Sequence, residues 1–371
     1  MSRNTVGARF RIGAKAAGVA AVAGVTALSV TGGGLSAPAH AAAAQRYVLT
    51  VGPAEAQRYL GINDDGDIIG VGQEAGAQNG QGFVVEHGTN TLAFLATPSD
   101  PGNHEQYTTP RAVNRSGVVV GDLLFTDPLK GHNRPIRWPA PGPTGADLGV
   151  DADLRFSDVE ATGISDNGQI SGKTLDANNR TSAWTVKGTA LTRLPALPGG
   201  QHARANAVND DGLVVGGATL TDVFPAVQWR NGQIENLGTL PGGTYAEAKA
   251  VNSAGVAVGV STTTTGKERG ITHAVVFAKG TVTDLNVSAT GIANASANAI
   301  NDKGTIVGSD RSGGFVYENG VATDLDTLIP PNSGYHITTA TGINENGAIV
   351  GVATKGFGGR TFGVLLTPAG R

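Results

Sequence analysis

Tyrosine, histidine and charged side chains recur at fixed distances before an asparagine that appears repeatedly along the chain. Histidine and tyrosine can act as bases, and a neighbouring cation can stabilise developing negative charge, so these residue types fit acid–base catalysis as well as polar recognition. His202 beside Arg204 and Tyr245 beside Lys249 are examples. The candidate ligand-binding residues are Arg58, Tyr107, Arg111, Glu160, His202, Arg204, Tyr245, Glu247 and Lys249. The sequence does not single out a proton acceptor among them, so the catalytic residues stay unassigned.

A second group of reactive side chains is the run Asn63-Asp64-Asp65-Gly66-Asp67. A helix-flanked calcium loop needs oxygen ligands at its first, third and fifth positions and a bidentate glutamate at its twelfth. With Gly66 in sixth place, the first and twelfth positions are Gly61 and Gly72, so two ligands are missing. We therefore predict no metal site and interpret the carboxylates as variable decoration on a hairpin tip, with calcium at this one copy left open.

The decapeptide around this run recurs, which shows the positions that the structure requires. Seven copies lie at spacings of 43 to 51 residues, the length of a propeller blade, and they occupy 61–70, 112–121, 163–172, 207–216, 250–259, 299–308 and 342–351. Every copy has glycine at its sixth and tenth positions and Asn at its third, except for Ser165. This pattern between short Val/Ile runs predicts a hairpin with a type I turn and a glycine in the left-handed region.

The segments between the hairpins complete the predicted blade. A loop and a third apolar strand follow each hairpin, as in GFVV (82–85) and AWTV (183–186), and most copies continue into a fourth strand. No useful length of the chain has helical periodicity, so the fold is predicted to be all-β. The seventh copy ends after its third strand, whereas RYVLTVGP (46–53) is a strand without a preceding hairpin. We predict that this segment completes the last of seven four-stranded blades and closes a single β-propeller over residues 42–371, because a linear solenoid would need capping repeats.

The first strand of each blade, normally the innermost, alternates between small and variable residues. Four and two positions before the asparagine the residue is nearly always Ala or Gly, which fits tight packing near a central axis. Five and three positions before it the residue varies from blade to blade and is mostly polar. Alternation places the two sets on opposite sides of the strand. The variable set predicts either a channel mouth adapted to one ligand or a ring of mutually paired charges.

Histidines show a related bias. His104, His202 and His336 fall in predicted loops between blades, and His132 and His273 fall in predicted loops from the second to the third strand. These two loop classes emerge on the same face of a propeller. The simpler account of the bias is the preference of polar residues for long loops, and the alternative is a binding or catalytic face on that side.

The N-terminus predicts export. Arg3, Arg9, Arg11 and Lys15 precede an apolar run over 16–30 and the Ala39-His40-Ala41 site, so residues 1–41 are predicted to be a signal peptide and the protein to be secreted. Removing these four positive charges moves the formal net charge from −3 to −7, which argues against nucleic acid as a partner. The chain has no cysteine, which excludes disulfides and thiol chemistry. No apolar segment in the mature chain is long enough to predict a membrane span.

Common catalytic and cofactor motifs are missing or misplaced. Gly172-Lys173-Thr174 resembles the end of a phosphate-binding loop, but the glycine spacing is one residue short and Gly172 already closes a repeat. No Gly-x-Ser-x-Gly or His-Glu-x-x-His motif occurs in the mature chain. We predict no cofactor.

The repeat unit resembles that of the extracellular HAF-repeat family. LGTLPGGTYAEAKAVNSAGVAVGVSTTTTGKERGITHAVVF (237–277) follows the family pattern of Leu-Gly-Thr-Leu, a glycine pair, Ala-Ile-Asn, a glycine turn, Val-Val-Gly and His-Ala-Phe, with Val275 in place of the family's phenylalanine. LPALPGGQHARANAVNDDGLVVGGA (194–218) is a second good match. The resemblance implies a secreted or surface-exposed β-rich repeat protein and is nearly silent on activity.

Two functions remain open. The first is a non-enzymatic binding module for an extracellular glycan, polymer or protein, which we expect to be a monomer. The alternative is an extracellular propeller enzyme, a metal-independent lyase or glycan-active hydrolase, with its site at the channel mouth. An enzyme should gather a carboxylate, His202 and a cation around one point, whereas a binding module spreads its contacts over several blades.

Overall fold

The computed structural model of the chain describes residues 45–74, 80–97, 106–125, 133–139, 145–149, 158–176, 178–263, 271–287, 294–356 and 359–370. The predicted signal peptide, His104 and His132 lie outside these residues. The described residues belong to one compact unit, Ala43–Arg371.

Seven four-stranded antiparallel sheets form the blades of a ring, as predicted. The first strand of each blade contacts the first strand of the next blade all round the ring, so these inner strands surround the central axis. β1 is Tyr47–Val51. Blades 1 to 3 contain β2 (Ala56–Ile62), β3 (Ile68–Gly72), β4 (Gln81–Val85), β5 (Ala93–Phe94); β6 (Gln106–Val113), β7 (Val119–Phe125), β8 (Asn133–Trp138), β9 (Ala146–Asp147); and β10 (Asp158–Ile164), β11 (Ile170–Leu175), β12 (Thr181–Lys187), β13 (Ala190–Leu194).

Blades 4 to 7 follow the same order. They contain β14 (Ala203–Val208), β15 (Val214–Ala218), β16 (Ala226–Arg230), β17 (Gln233–Gly238); β18 (Ala246–Val251), β19 (Ala257–Thr262), β20 (Thr272–Ala278), β21 (Thr281–Asp284); β22 (Ser296–Ile300), β23 (Ile306–Ser309), β24 (Gly314–Glu318), β25 (Val321–Asp324); and β26 (Tyr335–Ile343), β27 (Ile349–Lys355), β28 (Thr361–Pro368). We call the side with the turns after the first and third strands of each blade the hairpin face. The opposite side, with the other connections, is the loop face.

The N-terminal strand closes the ring. β1 pairs antiparallel with β28, with Tyr47 opposite Pro368 and Val51 opposite Val364, and so becomes the fourth strand of blade 7. The backbone N–H groups of Arg46 and Tyr47 also bond to Leu328 O, at 3.0 and 3.1 Å. The prediction of closure is therefore confirmed, and the pairing leaves no open sheet edge between the two ends.

The repeated decapeptides form the predicted hairpins. In each copy the sixth glycine has a positive φ, between 72° and 94°, and its N–H donates to the carbonyl of the third residue, as Gly66 does to Asn63 O at 3.1 Å. The tenth glycine has a different role, because a Cβ on Gly216 would lie 1.8 Å from Arg204 O of the inner strand. Both glycines are thus required by the backbone path.

The third residue of the motif also joins each blade to the next. The Asn63 side chain accepts a bond from Asp67 N at 2.7 Å and donates one from Nδ2 to Asn114 O at 3.0 Å. Six asparagines repeat this link around the ring at 3.0 to 3.2 Å, including the last step from Asn344 to Asn63 O, and we call them the asparagine belt: Asn63, Asn114, Asn209, Asn252, Asn301 and Asn344. All six are buried. Ser165 caps its own turn but has no amide with which to reach blade 4.

Acidic residues next to the belt make a second set of links, which corrects the interpretation of Asp64 as variable decoration. Asp64 Oδ1 accepts the Glu345 N–H at 2.9 Å, and its other oxygen pairs with Arg115 at 2.5 Å. The residue after the motif Asn or Ser is acidic in five of the seven blades, and the same link recurs at Asp166, Asp210, Asp302 and Glu345. Asp67 is also occupied, by Asn63 Nδ2 and by the His87 N–H. Among the described residues no three His, Cys, Asp or Glu side chains are grouped as ligands of a metal ion.

The apolar core lies between the blades. Third strands supply its largest fully buried side chains, which are Phe83, Trp138, Trp184, Trp229 and Phe277. Each core cluster combines residues of neighbouring blades; one contains Trp229 of blade 4 with Ala183 of blade 3. Burying one such side chain contributes about 1.5 to 3 kcal/mol. In the part of the chain that is described, no helix has the length and apolar character needed to cross a membrane.

The belt predicts paired stability effects. Asn301→Ser keeps a short acceptor for its own turn but removes the bond to Asn344 O, now 3.2 Å long, and leaves that buried carbonyl without this donor. We expect a loss of about 1 to 2 kcal/mol in the free energy of unfolding. Ser165→Asn supplies the missing link and should gain about 0.5 to 1.5 kcal/mol. Urea unfolding of both variants and of the natural protein measures these changes. Equal free energies of unfolding for all three proteins would contradict a stabilising role of the asparagine belt.

Candidate functional site

A β-bulge occurs at the same place in every inner strand, three residues before the motif Asn or Ser. The extra residues are Leu60, Arg111, Thr162, Asn206, Lys249, Asn298 and Thr341. Bulges redirect side chains and recur next to functional sites. Here they direct one side chain per blade along the inner wall of the ring.

Four of these side chains tie one inner strand to the next. Asn206 Nδ2 donates to Ala248 O at 2.8 Å, and equivalent bonds start from Thr162, Asn298 and Thr341 at 2.8 to 3.0 Å. Among the described contacts, Leu60, Arg111 and Lys249 do not make this bond to a neighbouring carbonyl. Part of the inner wall therefore has a structural role. Charged and aromatic side chains gather at places where the repeat departs from this pattern.

The first departure is a group of four charged residues on blades 2 and 3, which we call the channel quartet: Arg111, Asp122, Glu160 and Lys173. Arg111 Nε lies 2.7 Å from Asp122 Oδ2, and its Nη2 lies 3.6 Å from Glu160 Oε2. Lys173 Nζ lies 3.1 Å from the same glutamate oxygen. The predicted site residues Arg111 and Glu160 are thus brought together, and each already has an opposite charge beside it.

Asp122 is the unusual member of the quartet. The residue is 3% exposed, and Oδ1 has no hydrogen-bond partner among the described residues. Burial raises the pKa of Asp122 to about 7, and the charge of Glu160 acts in the same direction, while Arg111 and Lys173 oppose it. Such a carboxyl group titrates near neutral pH instead of staying ionised.

The second departure is an aromatic cluster between blades 4 and 5, which comprises Arg204, Phe224, Tyr245 and Glu247. The loop from the second to the third strand of blade 4 pairs with the start of blade 5, because Phe224 N bonds to Thr244 O at 2.8 Å and Ala246 N bonds to Phe224 O at 2.7 Å. The Phe224 and Tyr245 rings consequently stack, with centroids 5.5 Å apart and planes at 15°. The Arg204 guanidinium lies 5.3 Å from the Phe224 centroid. All three side chains are only partly buried, so part of the stack faces solvent on the loop face.

Hydrogen bonds occupy the proton-transfer groups of this cluster. The Tyr245 hydroxyl donates to Glu247 Oε2, and Asn206 Nδ2 donates to Glu247 Oε1 at 3.0 Å. Burial first, and Glu247 second, raise the pKa of Tyr245 above its ordinary range. Lys249 Nζ donates a hydrogen bond to Ser296 Oγ at 2.7 Å. Burial lowers the pKa of Lys249, although the negative charge of Glu247 acts to raise it.

The remaining predicted residues lie outside the two clusters. His202 Nδ1 accepts the Thr181 N–H of blade 3 at 3.2 Å, so its neutral ring carries the proton on Nε2. Arg58 is exposed on β2, and Tyr107 is half-buried on β6. His273 and His336 lie within strands, where each pairs with an aspartate at 2.8 and 2.6 Å, so the prediction that they occupy loops is wrong. Among the described contacts, none brings His202 to a carboxylate and a cation at one point.

Sequence reasoning missed Asp122 and Lys173 as members of the channel quartet and Phe224 as a member of the aromatic cluster. A signal existed for two of them, because Asp122 and Lys173 directly follow the closing glycine in copies two and three, where the other copies have Val, Gly or Ser. Phe224 carries no periodic signal, since it belongs to a loop of variable length.

The raised pKa of Asp122 predicts a pH effect on stability. Between pH 4 and 7 the folded protein holds this proton more tightly than the unfolded chain, so the stabilisation is complete at pH 3 and is lost as pH rises through 7. Asp122→Asn removes the titration. The free energy of unfolding of the natural protein, relative to that of the variant, should fall by more than about 1 kcal/mol from pH 4 to pH 8. Denaturant unfolding at both pH values tests this, and a constant difference would contradict it.

Comparison with known proteins supports the fold and assigns no activity. No protein-family model and no curated protein matches the chain. The β-propeller domain of the Trilobed protease from Pyrococcus furiosus is similar at a TM-score of 0.53 and 11% identity, with 88% of this chain and 96% of that one covered. That domain is described as having an open velcro topology, whereas β1 closes the ring here.

Weaker similarities include a prolyl endopeptidase, with a TM-score of 0.49, 12% identity, 84% of this chain covered and 46% of that one. TolB from Acinetobacter baumannii has a TM-score of 0.41 and 10% identity over 86% of this chain and 66% of that one. The chain thus spans about half of the endopeptidase, and at these identities the similarity concerns architecture only. The comparisons show a β-propeller.

Proposed function

We propose that the protein is a secreted, non-enzymatic binding module that recognises an anionic extracellular polysaccharide at the channel mouth on its loop face. The observation that carries this proposal is the partly exposed stack of Arg204, Phe224 and Tyr245. Membership of the HAF-repeat family and export through residues 1–41 belong to the same proposal, on the sequence features given above.

The chemistry of the stack favours a sugar polymer with negative groups. Aromatic faces pack against the C–H faces of sugar rings, and a guanidinium binds carboxylate or sulfate through paired hydrogen bonds. Among the described residues, neither Arg204 nor Arg58 lies in an ion pair with a carboxylate. These two cations on the inner strands remain free for an anionic ligand.

The candidate proton-transfer groups near the aromatic stack are already hydrogen-bonded within the protein. This favours ligand binding over catalysis at the stack. Glu247 is held by two donors, Tyr245 has a raised pKa, and the Nδ1 lone pair of His202 is used by a backbone N–H. A general base needs a free lone pair within reach of the substrate proton. Product release at the aromatic cluster is therefore not expected.

A matched panel of polymers tests the proposal. The protein from residue 42 onward is titrated calorimetrically with polygalacturonate, dextran sulfate and neutral dextran, and the same mixtures are assayed for new reducing ends and unsaturated products. We expect the anionic polymers to bind, with an affinity that falls as salt rises, and no product to appear. Product release that His202→Ala abolishes would support the enzyme alternative instead. Equal binding of neutral dextran would overturn the anionic ligand.

Two variants locate the site. Phe224→Ala and Arg204→Gln should each weaken binding by about tenfold or more, because each removes one half of the stacked recognition surface. Arg230→Gln is the matched control, since Arg230 ends β16 on the hairpin face and its loss changes the net charge equally. Equal effects of Arg204→Gln and Arg230→Gln would show that only overall charge matters, and the proposed site would be wrong.

A further inference from the structure

Asn-Gly pairs are a chemical feature of this chain that the proposed function does not use. Five occur, at 79–80, 167–168, 231–232, 319–320 and 346–347, and the last four lie wholly within the described residues. These four are at turns of the hairpin face, and their asparagines are all exposed. Asparagine is chemically labile, and a following glycine leaves the backbone nitrogen next to it unhindered. The four pairs are therefore candidates for a covalent change that needs no enzyme.

The reaction is an attack by the backbone on the side-chain amide. The glycine nitrogen forms a bond to Cγ of the preceding asparagine, the Cγ–Nδ2 bond breaks, and ammonia leaves with the proton that the glycine nitrogen gives up. Water then opens the resulting succinimide ring at either carbonyl and yields aspartate or isoaspartate. Water is the only co-reactant, and nothing is oxidised or reduced. A hydrogen bond donated by the glycine N–H or by the asparagine amide opposes the first step, because it must break before the atoms meet.

Two of the pairs are held by such hydrogen bonds, at the turns after the first strands of blades 3 and 7. The Gly168 N–H donates to Ser165 O at 3.0 Å, and the Asn167 amide donates to Asp210 O of blade 4 at 2.5 Å. The pair at 346–347 makes the same two bonds, each at 3.0 Å, and its second bond runs to the backbone of blade 1. In both pairs the attacking nitrogen and the leaving amide are thus engaged.

The other two pairs form the tips between the third and fourth strands of blades 4 and 6. Each tip joins two paired strands directly, so only the Asn-Gly pair lies outside the ladder. The φ values are 52° and 75° at Asn231 and Gly232, and 52° and 83° at Asn319 and Gly320, as in a type I′ turn. Among the described contacts, neither glycine N–H and neither asparagine side chain takes part in a hydrogen bond.

The equivalent tip of blade 5 shows that the turn does not require asparagine. Lys279 and Gly280 occupy it, with φ values of 50° and 73°. Lysine therefore adopts the left-handed conformation at this position, and its side chain has no amide to lose. Replacing the asparagine of a tip by lysine thus removes the reactive group and keeps a turn that the chain already uses.

We propose that Asn231 and Asn319 are sites of spontaneous deamidation in the folded protein, and that the hydrogen bonds of the first-strand turns protect Asn167 and Asn346. This inference stands independently of the proposed function, because it concerns the hairpin face and involves no ligand.

The change alters both charge and backbone at the tips. Each conversion adds one negative charge, and isoaspartate also inserts an extra backbone carbon into a two-residue turn. In blade 6 the lengthened tip directly follows Glu318, whose carboxylate lies 2.6 Å from Arg46 beside the closing strand β1. Deamidation of Asn319 therefore modifies a turn next to the ring closure.

Peptide mapping by mass spectrometry tests the contrast between the two kinds of turn. The protein from residue 42 onward is incubated at physiological temperature and mildly alkaline pH, and aspartate and isoaspartate are quantified at each pair over time. We expect reaction at Asn231 and Asn319 to be at least about tenfold faster than at Asn167 and Asn346, because two hydrogen bonds must open at each protected pair. Equal rates at all four pairs would overturn the proposal.

The chain unfolded in urea supplies the reference rates. All four asparagines precede glycine, so without the fold they should react at similar rates. Asn167 and Asn346 remaining slow in urea would place the difference in the neighbouring sequence and would overturn the proposal. So would an absence of reaction at Asn231 and Asn319 in the folded protein over a period in which the unfolded chain reacts.

Two variants assign the signals to single residues. Asn231→Lys and Asn319→Lys each copy the blade 5 tip, and each should abolish the reaction at its own tip while leaving the rate at the other unchanged. Circular dichroism confirms that both variants fold. A tip peptide that still gains the mass of deamidation in its own variant would show that a different residue reacts, and the assignment would be wrong.

Discussion

The asparagine belt is the interaction on which the rest of the structure depends. Each belt side chain uses both ends of its amide, since Oδ1 caps the turn of its own hairpin and Nδ2 bonds to the backbone of the next blade. The same residue therefore forms the local turn and fixes the neighbouring blade, at buried positions where an unpaired group would cost about 1 to 3 kcal/mol. Because the last link runs from Asn344 to Asn63, the belt also ties together the first and last repeats. Pairing of β1 with β28 closes the outer edge of the same blade.

Fixing the hairpin face leaves the inner wall and the loop face free to vary. Bulges at one position present a side chain from each blade, and four of the seven serve the ring itself. Two of the three departures from that pattern lie at the charged and aromatic clusters, because Arg111 joins the channel quartet and Lys249 lies close to Glu247, whereas Leu60 packs against the core. In this repeat protein, the candidate sites lie where side chains differ between blades at otherwise equivalent positions.

Most of the fold could be predicted from the sequence because its determinants are local and repeated. The Asn-x-x-Gly turn, the apolar third strands and the unmatched strand at 46–53 together gave blade number and closure. The polar alternation before each motif also led to the inner-strand residues that form the two clusters. Contacts between blades could not be derived in the same way. Tertiary packing determines which loop brings Phe224 against Tyr245 and how deeply Asp122 is buried. The acidic residue after the motif Asn or Ser was visible in five of seven copies, yet its partner is the backbone of another blade.

Hydrogen–deuterium exchange with and without a bound acidic polysaccharide tests the central claim, that a belt-linked ring presents the proposed ligand site on its loop face. In the free protein, the amides of the inner-strand hairpins should exchange slowly, as expected for buried and bonded backbone. On binding, protection should increase at residues 219–225 and 243–249, which carry Phe224 and Tyr245, and should not change at the hairpin turns. Protection confined to the hairpin face, with residues 219–225 and 243–249 unaffected by saturating ligand, would contradict the account.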